Sequence, residues 1–461
     1  MECFTVYRNE IERRIDPHYL LNKNILEKSE TKFRLAELGS ILKKPVQYGA
    51  NESAIEGNPK TDTRYIRITD IDSFGNLKDD DWKTAQKIDD KYTLEDDDVL
   101  FARSGATAGK CFIYKKDYGK SIFAGYLIRF IFDTKKVNPK YVFYYAQQER
   151  YKLWVNSIQR PSGQPNINSE EFKSFKIPLP PLEFQNKIVK LMENAYSKKK
   201  QKEIEAQQLI DSLDDYILQE LGIELPELKN KMVYVVNSEE ITDKRCDAYY
   251  FQPKFEEVEK AIKKGKYKSV FLKDIAEEIL SGQRPKGGVR QISEGIPSLG
   301  GEHVLDDGSI EAHDLRFIPF DFHKSHLKSK AQKKDIIIVK DGATTGKVGI
   351  IPENYPHAEI NINEHVFLIR CKKEIEPYFL FSLLKSSFCQ LQINREITGG
   401  TIMGIIRKSI EDTEIPLPPL AVQNKIAAEV KAKMQKAEQL QKEAKEGLEK
   451  AKKEVESLIL G

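Results

Sequence analysis

The sequence predicts an α+β protein: two similar globular domains related by a pseudo-two-fold axis and separated by an antiparallel pair of long coiled-coil-like helices. Three observations lead there. At 461 residues the chain exceeds what one hydrophobic core usually serves. It also repeats itself: IPLPPLEFQNKI at Ile177 to Ile188 returns as IPLPPLAVQNKI at Ile415 to Ile426, and SGATAGK at Ser104 to Lys110 returns as DGATTGK at Asp341 to Lys347. Behind each Pro-rich turn lies a long stretch whose apolar positions step by three and four.

The order of elements in each copy follows from local chemistry. A charged helix opens it, and weak echoes align the openings: RIDPHY (Arg14 to Tyr19) with RCDAYY (Arg245 to Tyr250), then FRLAEL (Phe33 to Leu38) with VFLKDI (Val270 to Ile275). Short strands come next, from β-branched and aromatic runs bounded by turn residues: YIRITDI, DVLFAR, CFIYK and LIRFIF in the first copy, DIIIV, VGII and VFLIR in the second. Pro139 and Pro377 each open an apolar helix, in the first turn, where a missing N–H costs little. A polar Gly-containing loop leads to the Pro-rich turn, which continues neither strand nor helix until its prolines are passed.

The long helices begin there. In the second, Ala427, Val430, Met434, Ala437, Gln441, Ala444, Leu448, Ala451, Val455 and Leu458 form a heptad seam. The same register in the first runs through Val189, Met192, Tyr196, Lys199, Glu203, Ala206, Ile210, Leu213, Ile217 and Glu220. A lone helix would leave such a stripe wet, so the two helices, each roughly 60 Å long, are expected to pack on each other with a globular domain at each end. The boundaries read as 1–181 and 223–419 for the domains, and 182–222 and 420–461 for the helices.

Composition bounds the function. With 74 basic and 71 acidic residues the net charge is +3, so any surface for a polyanion has to be local. Five cysteines without a CxxC pair suggest reduced thiols in a cytoplasmic protein. No apolar run approaches the roughly 18 residues of a membrane span, and the opening MECFTVYRNEIERRID is charged where a signal peptide would be apolar.

The GAT loops imitate a phosphate-binding P-loop and fail its requirements. Three residues separate the glycines instead of four, and Cys111 and Val348 stand where a Mg²⁺-holding hydroxyl is needed. HKSH (His323 to His326) lacks a Cys or acidic partner at ligand spacing and reads as surface. The acidic runs Asp79 to Asp81 and Glu95 to Asp98 read as solvated turns. An enzyme methylating base amino groups would need an [ND]PP[YFW] loop, whereas both PP pairs here follow leucine. No catalytic residue and no metal site is expected.

Globular domain, PLPPL turn, and a long helix opened by Gln185 or Gln423, then all three again: this arrangement resembles the DNA-specificity subunit of type I restriction-modification systems. The resemblance spans essentially the whole chain, and the doubled IPLPPLxxQNKI with its doubled upstream GATxGK is specific only in combination. It implies two target recognition domains, each reading half of a split double-stranded DNA site, and an antiparallel helical spacer. It further implies two methyltransferase subunits docked chiefly on the helices and restriction subunits joined through them. The cofactors would sit on those partners, S-adenosylmethionine for adenine methylation and ATP with Mg²⁺ for restriction, with none in this chain. One departure stands out: the family commonly has Glu before the Gln, and here Phe184 and Val422 occupy that place.

Site-specific DNA binding needs Lys, Arg and short polar side chains on loops that reach phosphates and base edges. The GAT loops offer Arg103, Thr107 and Lys110 in one copy and Lys340, Thr344, Thr345 and Lys347 in the other; they either contact DNA or only shape a tight turn. Before each Pro-rich turn, QRPSGQPN supplies Gln159, Arg160, Ser162 and Gln164, and REITGGTI supplies Arg395, Thr398 and Thr401. SGQRPKGG adds Gln283, Arg284 and Lys286. Two other readings compete: a nucleotide-dependent enzyme using the GAT loops, and a coiled-coil scaffold with peptide-binding ends.

Overall fold

A computed structural model describes Leu20 and residues 31–72, 74–78, 80–159, 165–241, 245, 247–289 and 292–460. The RIDPHY opening, Cys3 and Cys246 lie outside the described residues. The chain divides into two compact units, unit 1 from Met1–Gln201 with Glu443–Gly461, and unit 2 from Lys202–Lys442.

Each unit is built on a four-stranded antiparallel sheet. In unit 1 the order is Gln47–Tyr48, Leu127–Phe130, Val99–Ala102, Cys111–Ile113. In unit 2 it is Ala276–Ser281, Val366–Cys371, Ile336–Val339, Val348–Ile350. The central strands read as unbroken apolar runs because both faces of the sheet are covered. Val99 and Phe101 enter a core with the helices Pro139–Tyr145 and Glu149–Ile158, while Leu100 and Ala102 enter another with Ile66, Phe112 and Phe123. Ile336 and Ile338 part from Ile337 and Val339 in the same way.

The second layer differs between the units. In unit 1, Arg64–Ile66 pairs in parallel with Ser121–Phe123, and Ala54–Glu56 with Lys83–Ala85 forms a separate pair. In unit 2 the equivalent parallel pair, Ile296–Leu299 with Ile360–Ile362, is flanked by Phe317–Ile318 and Lys330–Ala331 into four strands.

Three sequence expectations about these elements need correction. The Ile-Pro of each Pro-rich turn closes a strand, Lys176–Pro178 against Leu35–Glu37 and Glu414–Pro416 against Ser269–Phe271. That register sets Leu35 beside Pro178 and Ser269 beside Pro416, so Leu38 matches Leu272, three residues from the FRLAEL–VFLKDI pairing. Between sheet and turn the first copy has three helices, Pro139–Tyr145, Glu149–Ile158 and Ser169–Ser174, where one was expected.

Two polar readings change as well. Asp98 is no solvated turn residue: it is 2 % exposed, caps the Glu95 N–H at 2.7 Å and pairs with Arg129 at 2.6 Å. Asp335 repeats all of this with Gln332 and Arg370. Asp97 and Lys334, just before, both take positive φ, 66° and 75°, to turn the carboxylate inward. His323 is buried rather than on the surface, with Nδ1 3.4 Å from Asn361 Oδ1, and His326 stacks on Phe322.

The long helices are Leu182–Leu221 and Leu420–Ile459, 40 residues each. In unit 1, Ile188, Val189 and Met192 share a core with Leu448, Val455 and Ile459. In unit 2, Leu213, Ile217 and Leu221 share one with Ile426, Ala427 and Val430, and Ala206 meets Ala437 and Leu440. The buried line of the second helix runs Ala437, Leu440, Ala444, Leu448, Ala451, Val455, Ile459. Leu440 and Ile459 are buried where the heptad reading placed Gln441 and Leu458, because the spacing repeats after eleven residues and drifts less around a straight helix than a heptad does. Among the described residues no helix is long and apolar enough to cross a membrane.

Candidate nucleic-acid interface

The GAT loops occupy the same place in each unit, leaving the sheet after Ala102 and after Val339. Gly105, Gly109, Gly342 and Gly346 all have φ between 77° and 101°, which only glycine adopts readily. The loop N–H groups point inward: Gly109 and Gly346 donate to Ala102 and Val339 carbonyls at 2.8 Å, and Lys110 and Lys347 to Thr107 and Thr344 carbonyls. A phosphate cradle needs such N–H groups free and convergent. Here they close a turn, which Tyr151 Oη and Gln390 Nε2 then fasten by donating to the Gly109 and Gly346 carbonyls.

Three further loops gather around each turn. The loop before the last short helix is tied to it, by Gly105 N–H to Pro165 carbonyl at 3.0 Å and Ile167 N–H to Arg103 carbonyl at 2.7 Å in unit 1. Gly342 N–H to Met403 carbonyl and Ile405 N–H to Lys340 carbonyl do the same in unit 2. Next comes the turn between the parallel strand and the sheet, Ala124 to Tyr126 and Asn363 to His365. Arg103 N–H donates to the Tyr126 carbonyl at 2.9 Å, and Lys340 N–H to the His365 carbonyl at 2.8 Å. The fourth loop follows Gly49 or Gly282. A Cβ on Gly49 would sit 2.3 Å from the Ala124 carbonyl oxygen, and on Gly282 2.1 Å from that of Ile362, so both backbones approach where a side chain is forbidden. SGQRPKGG therefore has a counterpart, YGANES, that the sequence reading missed. Its shared glycine was the available signal.

Side chains of the sequence-selected residues divide into two groups. Gln283, Lys286, Thr344, Thr398 and Thr401 are exposed around this crown. Arg284 is also exposed, with Nε 2.6 Å from Glu364. Arg103 lies over the Tyr48 ring at 5.0 Å, its Nε 3.4 Å from Asn166 Oδ1.

The others are occupied internally. Lys110 donates to the Ile71 carbonyl at 2.8 Å, and burial lowers its pKa. Lys347 pairs with Asp306 at 2.6 Å and holds that carboxyl below its usual range. Lys340 reaches the Glu364 carbonyl, and the Thr345 hydroxyl donates to Gly342 and Met403 carbonyls. The Thr107 hydroxyl is buried without a hydrogen-bond partner among the described residues. Arg395 does not reach the crown: it donates to the Tyr250 carbonyl at 2.9 Å and pairs with Glu259 at 2.7 Å. Gln159 caps a helix at Val155, and Arg160, Ser162 and Gln164 lie outside the described residues.

The Pro-rich motif explains itself at the joint between sheet and long helix. Gln185 is fully buried; its Oε1 accepts from the Asn138 N–H at 2.8 Å and its Nε2 donates to the Pro180 carbonyl at 2.8 Å. Gln423 makes the same two bonds, to Glu376 N–H and the Pro418 carbonyl, both at 3.0 Å. One amide thus locks the cap of the Pro139 or Pro377 helix to the diproline and to the start of the long helix. Phe184, where an acid was expected, packs on Phe33 with ring centroids 5.0 Å apart.

Comparison with known proteins agrees with this duplicated plan. The family profile described as type I restriction modification DNA specificity domain matches residues 27–208 and 264–450. The MjaVIII specificity subunit of Methanocaldococcus jannaschii is 24 % identical over 80 % of this chain and 79 % of its own length. The putative MjaX specificity subunit of the same organism is 26 % identical over 85 % and 83 %. Among solved structures, a chain from a study of type I R-M complex assembly and conformational transition aligns with TM-score 0.49 and 16 % identity, covering 91 % of this chain and 95 % of its own. The S subunit from M. genitalium aligns with TM-score 0.44 and 14 % identity over 92 % and 96 %. The chain belongs to the family of type I restriction-modification specificity subunits, the non-catalytic subunits through which such systems recognise DNA.

Proposed function

We propose that this chain reads a split DNA target, residues 1–181 recognising one half and 223–419 the other. The helices 182–222 and 420–461 form an antiparallel coiled-coil-like pair about a pseudo-two-fold axis and set the spacing between the halves. Two methyltransferase subunits dock on that pair and methylate adenine in each half with S-adenosylmethionine; restriction subunits carrying ATP and Mg²⁺ join through them, in the cytoplasm. The observation that carries this reading is the crown of four loops at the same place on two equivalent sheets, held by the same backbone bonds and dressed with different side chains. Unlike half-sites need unlike readers on a like scaffold. The cores shared by the two helices within each unit, Met192 and Val455 in one and Ile217 and Ala427 in the other, support the antiparallel spacer.

The test is a methylome of a host carrying the chain with its partner subunits, against the same host without this chain. A split adenine motif that disappears on deletion is the expected result. An unchanged methylome would overturn the proposal.

A further inference from the structure

The two crowns share a position that neither the GAT loop nor the basic loop contains. One residue beyond the last sheet pair, Ala102 with Leu127 and Val339 with Val366, the chain presents Tyr126 in unit 1 and His365 in unit 2. Their carbonyls accept from Arg103 and Lys340, so both Cα atoms are fixed at the root of the GAT loop. The turns that carry them are equivalent residue by residue: Ala124 N–H bonds Ile66 and Asn363 N–H bonds Leu299, while Phe123 and Ile362 carbonyls accept from Ala50 and Gln283. Backbone position is therefore rigid and duplicated, and only the side chain is free to differ.

Both side chains point outward. Tyr126 is 60 % exposed, an uncommon placement for a tyrosine in a chain that buries Tyr65, Tyr141 and Tyr151 almost fully. The His365 side chain is 45 % exposed, with Nδ1 2.6 Å from Asp341 of the GAT loop and Nε2 3.4 Å from Glu364. It lines an open cleft of about 1220 Å³ together with Lys286, Asn363 and two ion pairs, Arg284 with Glu364 and Arg316 with Glu302. An exposed lysine and ion-paired arginines beside an amide and an imidazole suit a polyanion that presents hydrogen-bonding edges between its phosphates, which is what a DNA groove does. A phenol and an imidazole offer different donor and acceptor patterns from one backbone point.

We infer that Tyr126 and His365 are base-contacting, specificity-determining residues, one for each half of the DNA target, with the Asp341 carboxylate orienting the imidazole. This rests on the DNA-reading function proposed above. Tyr126→Ala, Tyr126→Phe, His365→Ala and His365→Asn are introduced into the full chain and assembled with its partner subunits. Each complex is read by host methylome and by competition binding to duplexes carrying the motif found for the unsubstituted chain, altered one base pair at a time. The expected result is that Tyr126 substitutions relax preference at one or two base pairs of one half only, and His365 substitutions in the other half only, by roughly tenfold.

Unchanged preference in both halves would overturn the inference. So would an equal loss of affinity for every duplex by complexes that remain assembled, which marks a phosphate or packing role. If the unsubstituted chain directs no split motif at all, the functional reading itself fails, a result distinct from either.

Discussion

Units 1 and 2 solve the same problem at the joint between globular part and long helix with opposite charges. Lys140 pairs with Glu193 at 2.9 Å in unit 1, whereas Glu376 pairs with Lys431 at 3.2 Å in unit 2, and Lys431 lies over the Tyr378 ring where unit 1 has Lys140 itself. Glu193 and Lys431 occupy the same turn of their helices, so the sign has inverted while the link survived. Beneath it the buried amide of Gln185 or Gln423 keeps the same two bonds, to the cap N–H and to the carbonyl of the first proline of the diproline. Exposed pairs contribute little and drift as long as they stay complementary. A buried amide whose loss leaves a backbone N–H unsatisfied cannot drift.

The largest expected effect separates the units by how well a shared buried pair is covered. Arg129 and Asp98 have side chains 7 % and 2 % exposed, and the arginine's other bonds go to the Thr93 carbonyl and Gln47. Asp98→Ala strands a buried guanidinium and should cost about 3–5 kcal/mol. Arg370 donates twice to Asp335, at 3.1 and 2.7 Å, but it is 20 % exposed and keeps Glu278 when Asp335 is removed, so Asp335→Ala should cost less, about 1.5–3 kcal/mol. Hydrogen exchange assigns the loss to a unit: protection should fall across 99–130 in the first variant and across 336–371 in the second. Equal losses would show that coverage does not distinguish the two sheets.

How much was legible in the sequence follows the same division between local and distant causes. The duplicated strands, the Pro-initiated helices and the long apolar seam were readable, because each depends on residues a few positions apart. Asp98 was misread as solvated because its partner Arg129 lies on another strand, and no local pattern announces that pairing. The seam went astray at Leu440 and Ile459 because three-and-four stepping fits both seven-residue and eleven-residue repeats until burial decides. In the candidate interface the GAT loops, the loops before the Pro-rich turns and SGQRPKGG were found, whereas YGANES and the turns carrying Tyr126 and His365 were not. Lys110 and Arg395 look like DNA contacts in one dimension, yet the fold spends them on the carbonyls of Ile71 and Tyr250. Tyr126 went unnoticed because a single tyrosine beside a strand looks like core.

A smaller effect sharpens the contrast between the loops after Gly49 and Gly282, which carry Asn51 and Ser53 in unit 1 but Arg284 and Lys286 in unit 2. If the latter neutralise phosphates, Arg284→Ala and Lys286→Ala should each flatten the salt dependence of DNA binding by the assembled complex by about one unit of log–log slope. Lys110→Ala should leave that slope unchanged, since its ammonium is already bound to Ile71. Titrations over a range of salt concentrations read both, and a slope change for Lys110→Ala would return that lysine to the interface.

The smallest effect concerns proton linkage and again distinguishes the units. Lys385 ends the Pro377–Lys385 helix, donating to the Asp306 carbonyl at 2.6 Å; the matching position in unit 1, two residues past the end of the Pro139–Tyr145 helix, is Gln147. Burial pushes its pKa down to about 8, against the opposing charges of Asp307 and Asp306 and with help from Lys347. The unfolded lysine titrates near ~10.4, so between these values the unfolded chain binds more protons and stability rises with pH. This contribution is complete above the unfolded value and is lost as pH falls through about 8. Because the side chain is only half-buried, the slope should be a fraction of the ~1.4 kcal/mol per pH unit that one proton allows. Lys385→Gln, which copies unit 1, should abolish it. Comparing the variant with the unsubstituted chain between pH 7 and ~9.5, by hydrogen exchange in 377–396, isolates the difference; parallel profiles would mean that the ammonium stays hydrated.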